Sequence, residues 1–137
     1  AAASLIPALA ENIVIDASDI PDLVPILSVA AAANRGATFT NIQRLRLKES
    51  DRVASTIAMI ESLGGKAESN KKTLTVYAAG LTGGTVDACN DHRIAMMTAV
   101  AATRCAAPVK LLGADCVKKS YPNFWEDYEQ LGGEISL

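Results

Sequence analysis

Two stretches of this chain carry the same succession of segments, and a sequence that repeats itself is restricted to folds built from a repeated unit. The first stretch opens at Ile15-Asp16-Ala17 and the second at Val86-Asp87-Ala88, each a short β-branched run ending in Asp-Ala. After the first come Pro21-Asp22 and an alanine-rich apolar segment over 23–34; after the second come Asn90-Asp91 and a similar segment over 94–107. Both segments read as buried helices, with Asp22 and Asp91 as N-caps and Pro25 early enough in its helix to be tolerated. A second strand is expected in each copy, over 37–42 and 109–112. A lysine then leads into an amphipathic helix, Lys48 in the first copy and Lys119 in the second.

The two amphipathic helices end alike. Val53, Ile57 and Ile60 recur at spacings of three and four before Leu63-Gly64-Gly65, and Phe124, Tyr128 and Leu131 do so before Gly132-Gly133. Strands follow over 66–68 and 134–137, with an additional one over 73–77 after the first copy only. The pattern predicts an α/β fold of tandem β-α-β-α-β(β) units, about 12–80 and 84–137, repeating roughly every seventy residues, with sheets packed around buried helices.

Composition narrows the functional classes. At 137 residues, with 50% apolar and 20% charged residues, the chain suits one cored soluble domain. A net charge of -2 and 4% aromatic content argue against a nucleic-acid surface, which needs a basic stripe or stacking platforms. Cys89, Cys105 and Cys116 are odd in number and lack a CxxC spacing, which points away from a disulfide framework or a zinc site and toward a reducing cytoplasm. The first residues have no basic stretch and too short an apolar run for a signal or a membrane span. With no initiator Met and a first strand opening abruptly near Asn12, the chain reads as a piece of something longer.

The positive charge that exists is local. Arg44-Leu45-Arg46-Leu47-Lys48-Glu49-Ser50-Asp51-Arg52 gathers four cations around one glutamate where a strand is expected to yield to a helix. Lys48 and Arg52, four apart, would share a face in the first turn of that helix, where the macrodipole is already positive. Two cations there cost roughly 0.3 to 1 kcal/mol each unless an anion offsets them, so the segment reads as an anion site. If helix starts of the two copies converge, Lys48, Arg52, Arg93 and Lys119 face one polyanionic ligand, a phosphate or carboxylate. A solvated helix end is the competing reading. Asp22 and Asp91 read first as caps, and the lone His92 as a core or supporting residue rather than a metal ligand. Glu49 either favours the helix dipole or shuttles a proton once an anionic ligand neutralises its neighbours. Gly83-Gly84 reads as a turn, Lys71-Lys72 as a hairpin, and Met96, Met97 and Trp125 as packing residues.

Three ordered motifs add a family likeness. Leu45-Arg46-Leu47-Lys48-Glu49-Ser50-Asp51-Arg52, Asn90-Asp91-His92-Arg93-Ile94-Ala95-Met96 and Cys116-Val117-Lys118-Lys119-Ser120-Tyr121-Pro122-Asn123-Phe124 closely resemble the C-terminal motifs of 5-enolpyruvylshikimate-3-phosphate synthases; Asp19-Ile20-Pro21-Asp22 matches a fourth. The resemblance implies the enolpyruvyl transferase fold, whose two domains each hold three β-α-β-α-β-β units around an interdomain cleft. Residues 1–137 would be part of a C-terminal domain, two units of three, with the N-terminal domain as missing partner. It further implies transfer of the enolpyruvyl group of phosphoenolpyruvate to the 5-hydroxyl of shikimate 3-phosphate with release of phosphate, a step of aromatic amino-acid biosynthesis, and no metal or organic cofactor.

Carried over by motif, Asp22 would take the 5-hydroxyl proton and bind the shikimate ring, Glu49 would protonate the enol methylene carbon, and Lys48 would contact the shikimate substrate. Arg52, Arg93 and Lys119 would hold phosphoenolpyruvate, with Asp91 and His92 supporting Arg93. Such a piece is expected to be inactive alone and to self-associate through uncovered apolar helix surface. Two alternatives stand beside this reading: the related transferase acting on a UDP-linked amino sugar, and a non-catalytic anion-binding or interaction domain of the same architecture.

Overall fold

The computed structural model describes residues 13–48 and 50–136. Alternation of small or apolar residues with threonine builds the first sheet. In β2 (Ala37–Thr40) and β4 (Thr73–Tyr77), Ala37, Phe39, Leu74 and Val76 are buried, while Thr38, Thr40, Thr73 and Thr75 lie on the other face. The sheet order is β1-β2-β4-β3, with β1 (Val14–Asp16) parallel to β2, and β3 (Lys66–Ser69) joined to β4 as an antiparallel hairpin. Asn70 makes that hairpin turn, its side-chain oxygen accepting from the amides of Lys72 and Thr73 at 2.9 and 2.8 Å. A second sheet pairs β5 (Gly84–Asp87) in parallel with β6 (Val109–Leu112).

Among the described residues, four α-helices connect and cover these strands: α1 (Val24–Ala33), α2 (Arg52–Ser62), α3 (His92–Ala102) and α4 (Phe124–Gln130). The alanines of α1 let neighbouring backbones approach, and α1 packs on α2 and α3. Pro25 sits in the first turn of α1, where its missing N–H has no intrahelical partner to lose. One core draws on both copies, from Val24, Phe39 and Ile60 to Val86, Ile94 and Ala101. A smaller cluster of Ala88, Ala95, Cys116 and Val117 lies under Phe124 and Trp125.

The sequence repeat returns as repeated local structure. Ala17 N–H donates to the Thr40 carbonyl and Ala88 N–H to the Leu112 carbonyl, both at 2.9 Å. Asp16 and Asp87 each accept from the amide two residues on. At the ends of α2 and α4 the first glycine takes a left-handed φ, +93° at Gly64 and +105° at Gly132. The second glycine then donates back five residues, Gly65 to Ile60 and Gly133 to Tyr128, each at 2.9 Å, which closes a Schellman motif.

Four expectations need correction. Residues 134–136 form no strand. The expected strand over 37–42 stops at Thr40, because Asn41 takes φ +56° and turns the chain. The helix expected to reach 107 ends at Ala102, where Thr103 caps its own turn by donating to the Val100 carbonyl at 2.6 Å. The basic stretch is not a strand passing into a helix: Gln43–Leu47 is a 3-10 turn and Lys48 its extended C-cap. Asp51 is the N-cap of α2, its side chain accepting from Ala54 N–H at 3.2 Å, and Arg52 is the first helical residue. Lys48 and Arg52 therefore do not share a helix face.

Candidate active site

The starts of α1, α2 and α3 meet, and ionic groups join them. Asp22 lies in the 3-10 turn Pro21–Leu23 that leads into α1 and makes no capping bond, contrary to its expected role. Its half-exposed carboxylate instead draws cations from both copies. Arg52 Nη1 is 3.0 Å from Oδ1, Lys48 Nζ is 3.7 Å from Oδ1, and Arg93 Nη2 is 3.8 Å from Oδ2. The two longer distances exceed hydrogen-bond length, so the heads of Lys48 and Arg93 are attracted to Asp22 without being locked onto it. Exposed pairs of this kind are worth about 0–1 kcal/mol each, so they orient more than they stabilise.

Beneath this layer lies a buried one. Asp91, the N-cap of α3, is fully buried and Arg52 is 1% exposed. Arg52 sets its Nε on Asp91 Oδ2 and its Nη2 on Oδ1, both at 3.0 Å, the two-pronged geometry in which a guanidinium binds a carboxylate most strongly. Oδ1 also accepts from Arg93 N–H at 3.0 Å and Oδ2 from Ser50 Oγ at 2.8 Å. Burial pushes the Asp91 carboxyl up, but the Arg52 hydrogen bonds and charge, the Ser50 hydroxyl and the Arg93 amide together outweigh it and hold the group below the usual carboxylate range. The cap reading of Asp91 is thus correct but incomplete, since the same carboxylate clamps α2 to α3.

Lys119 stands at the end of the 3-10 turn Ala114–Lys119 and donates to the Asn90 carbonyl at 2.7 Å, beside the start of α3. Asn90 and Cys89 both take left-handed φ values, +54° and +55°, which turns that carbonyl toward the lysine. His92 opens α3 with a buried Nδ1 that has no hydrogen-bond partner among the described residues. Glu49 lies outside the described residues. A depression of about 220 Å³ lined by Glu68, Ser69, Asn70, Thr73 and Thr75 involves none of these groups.

Lys48, Arg52 and Arg93 thus converge on Asp22 from segments far apart in sequence, with Lys119 held at the neighbouring helix start. Arg52 is more deeply committed than its expected role as a ligand-binding residue requires. Ser50 and Ser55, the latter donating to Ser50 Oγ at 2.9 Å, were not singled out by the sequence reading. Their only signal was position: a serine inside the basic motif and another five residues on.

The fold has counterparts among solved structures. A structure of EPSP synthase from Acinetobacter baumannii superposes with a TM-score of 0.78 at 28% identity, covering 85% of this chain and 29% of that one. A second structure of the same enzyme gives 0.73 at 25% identity over 83% of this chain and 28% of that one. The fold is therefore that of the enolpyruvyl transferases. The family model for EPSP synthase (3-phosphoshikimate 1-carboxyvinyltransferase) matches residues 4–128, and the chain belongs to that family. Among curated relatives, the 3-phosphoshikimate 1-carboxyvinyltransferase of Clostridium kluyveri is 43% identical over 94% of this chain and 31% of its own length. That of Clostridium acetobutylicum is 49% identical over 90% of this chain and 29% of its own. The chain thus spans somewhat under a third of the length of the relatives it matches. Among the described residues, no helix is long and apolar enough to cross a membrane.

Proposed function

We propose that the chain supplies part of the active site of an enzyme that transfers the enolpyruvyl group of phosphoenolpyruvate to the 5-hydroxyl of shikimate 3-phosphate. The convergence of Lys48, Arg52 and Arg93 on Asp22 carries this reading, because it gathers a carboxylate and several cations where a polyanion and a hydroxyl are to be handled together.

In the reaction the 5-hydroxyl oxygen bonds to C2 of phosphoenolpyruvate, its proton passes to Asp22, and the C3 methylene receives a proton from Glu49. The tetrahedral intermediate then returns a proton from C3 to Glu49 as the C2–O bond to phosphate breaks, which leaves the enol ether and free phosphate. Arg93 and Lys119 hold the donor's phosphate and carboxylate, and Lys48 contacts the acceptor. Cations preorganised around the departing phosphate stabilise charge as it develops. Arg52 joins them through its Nη1 edge, exchanging Asp22 for a donor oxygen while Asp91 keeps the other two nitrogens of its fork. Asp91 and His92 support Arg93 from the start of α3.

On this reading the chain is two of the three units of a C-terminal domain, about 12–80 and 84–137, and the remaining cations come from an N-terminal domain. Residues 4–128 matching the family model, at under a third of the relatives' length, support the assignment. The protein works in the cytoplasm, in keeping with three free cysteines, and the isolated chain self-associates through exposed Leu47 and Leu131.

The test is phosphate release from phosphoenolpyruvate and shikimate 3-phosphate. The chain alone is expected to stay at background. Mixed with the N-terminal portion of the C. acetobutylicum relative, or fused to it in place of the matching third, it is expected to turn over, and Glu49→Gln is expected to keep binding while losing turnover. An inactive fusion that is folded would overturn the proposal, as would steady turnover by the chain alone.

A further inference from the structure

We infer that Ser50, next in sequence to Glu49, is a positioning residue for this reaction, its hydroxyl tying the chain after Lys48 to the start of α3; the inference rests on the functional reading above. Ser50 is neither an N-cap nor a core residue. Its Oγ spans 41 positions of sequence to reach Asp91 Oδ2 at 2.8 Å.

The direction of the bond is dictated by chemistry. An ionised carboxylate only accepts, so Ser50 must donate to Asp91, and its lone pairs are left to accept from Ser55 Oγ at 2.9 Å. Ser55 sits in the first turn of α2, is 7% exposed, and donates its own amide to the Asp51 carbonyl. A one-way chain Ser55–Ser50–Asp91 therefore runs from α2 through the preceding segment to α3. Asp91 in turn accepts from Arg93 N–H and grips the Arg52 fork. Arg52 and Arg93 are thus each one hydrogen bond from this chain, and Lys48 lies two residues before Ser50 in sequence.

Between the 3-10 turn and α2, the segment is extended at Lys48 and again at Asp51, so its path is not set by a helical ladder. Asp51 ties it to α2 by capping, and Ser50 ties it across to α3. Removing the hydroxyl leaves the cationic heads in place but frees the segment by a fraction of an ångström to an ångström. Such a shift is harmless to ground-state attraction between charges, yet costly to a proton transfer that needs aligned atoms.

The experiment uses the reconstituted enzyme of the preceding section with Ser50→Ala and Ser50→Thr. Ser50→Ala is expected to lower kcat about tenfold with KM for both substrates within about twofold, and Ser50→Thr, which keeps the hydroxyl, to recover to within about twofold of the parent. Urea midpoints of the two variants are expected to differ little. Equal kcat in all three proteins would overturn the inference while leaving the functional proposal intact. So would a raised KM at unchanged kcat, or a loss that Ser50→Thr does not repair. A parent complex without turnover would remove the functional proposal and the role of Ser50 with it.

Discussion

Replacing Asp91 by Asn tests whether the buried clamp between α2 and α3 is a charge pair or merely a set of well-placed hydrogen bonds. The carboxylate accepts four bonds, two on each oxygen, and an amide keeps only one accepting atom. If the new NH2 takes the Oδ1 side it confronts Arg52 Nη2 and Arg93 N–H, both donors that cannot turn away. On the Oδ2 side it meets Arg52 Nε and Ser50, whose hydroxyl can rotate to accept, so this orientation is favoured. One guanidinium bond and the Asp91 charge are still lost, while Arg52 keeps Asp22. A charge-assisted bond is worth about 1.5–3 kcal/mol, and abandoning one member of a buried pair costs about 3–5.

We expect a loss of about 3 kcal/mol, a large share of a stability of about 5–15 kcal/mol. With a urea slope of about 2 kcal/mol/M, the midpoint should fall by about 1.5 M, followed through Trp125, whose ring packs on Phe124 and Tyr128. A double variant, Arg52→Met with Asp91→Leu, should regain all but about 1 kcal/mol, the lost N-cap of α3. A single-variant shift under about 0.5 M at unchanged slope would mean that the Arg52 charge is not desolvated. A double variant no better than the single would mean that the ion pair itself, rather than the guanidinium left facing an amide, accounts for the loss.

Acid should act through the same carboxylate. Against burial, the Arg52 and Ser50 hydrogen bonds hold its folded pKa below the usual carboxylate range, so its contribution is present above the unfolded pKa and is lost as pH falls through the lower folded one. Urea midpoints should therefore decline below about pH 4 in the parent and less steeply in Asp91→Asn; parallel curves would contradict this. Two glycines offer a second contrast. Gly84 has φ +150° and a Cβ there would collide with the Ser62 carbonyl oxygen, whereas Gly80, at φ +77°, has nothing within 4 Å. Gly80→Ala should cost about 1–2 kcal/mol and Gly84→Ala clearly more, and equal losses in urea titration would refute the collision.

Periodicity located the helices because it is a local property: Val53, Ile57 and Ile60 mark the inner face of α2 whatever lies opposite. The glycine pairs marked the ends of α2 and α4 for the same reason. The edges were less legible. Lys48 and Arg52, four apart, suggested one helical face, but the extended backbone at Lys48 breaks it, and only the capping bond of Asp51 shows where α2 begins. Asp22 looked like a cap because a short acid beside a helix start usually is one. That it faces three cations depends on residues 26 to 71 positions away in the sequence. The depth of Arg52 was equally hidden, since its partner Asp91 belongs to the other copy. A strand over 134–137 was expected by analogy with β3, but β3 has β4 as its hairpin partner, and residues 134–136 join neither sheet.

The mutual arrangement of Asp22, Asp91, Lys48, Arg52 and Arg93 also sets an electrical balance among these five groups. Counted over these five alone, three positive heads against two carboxylates leave a surplus of a single charge, so they assemble without strong self-repulsion. Asp22 behaves as a resident counterion. A passing chloride would gain little by competing with it, while a visitor bearing several charges can trade places and draw the released heads to itself. Selectivity for multiply charged guests then follows from how these side chains neutralise one another.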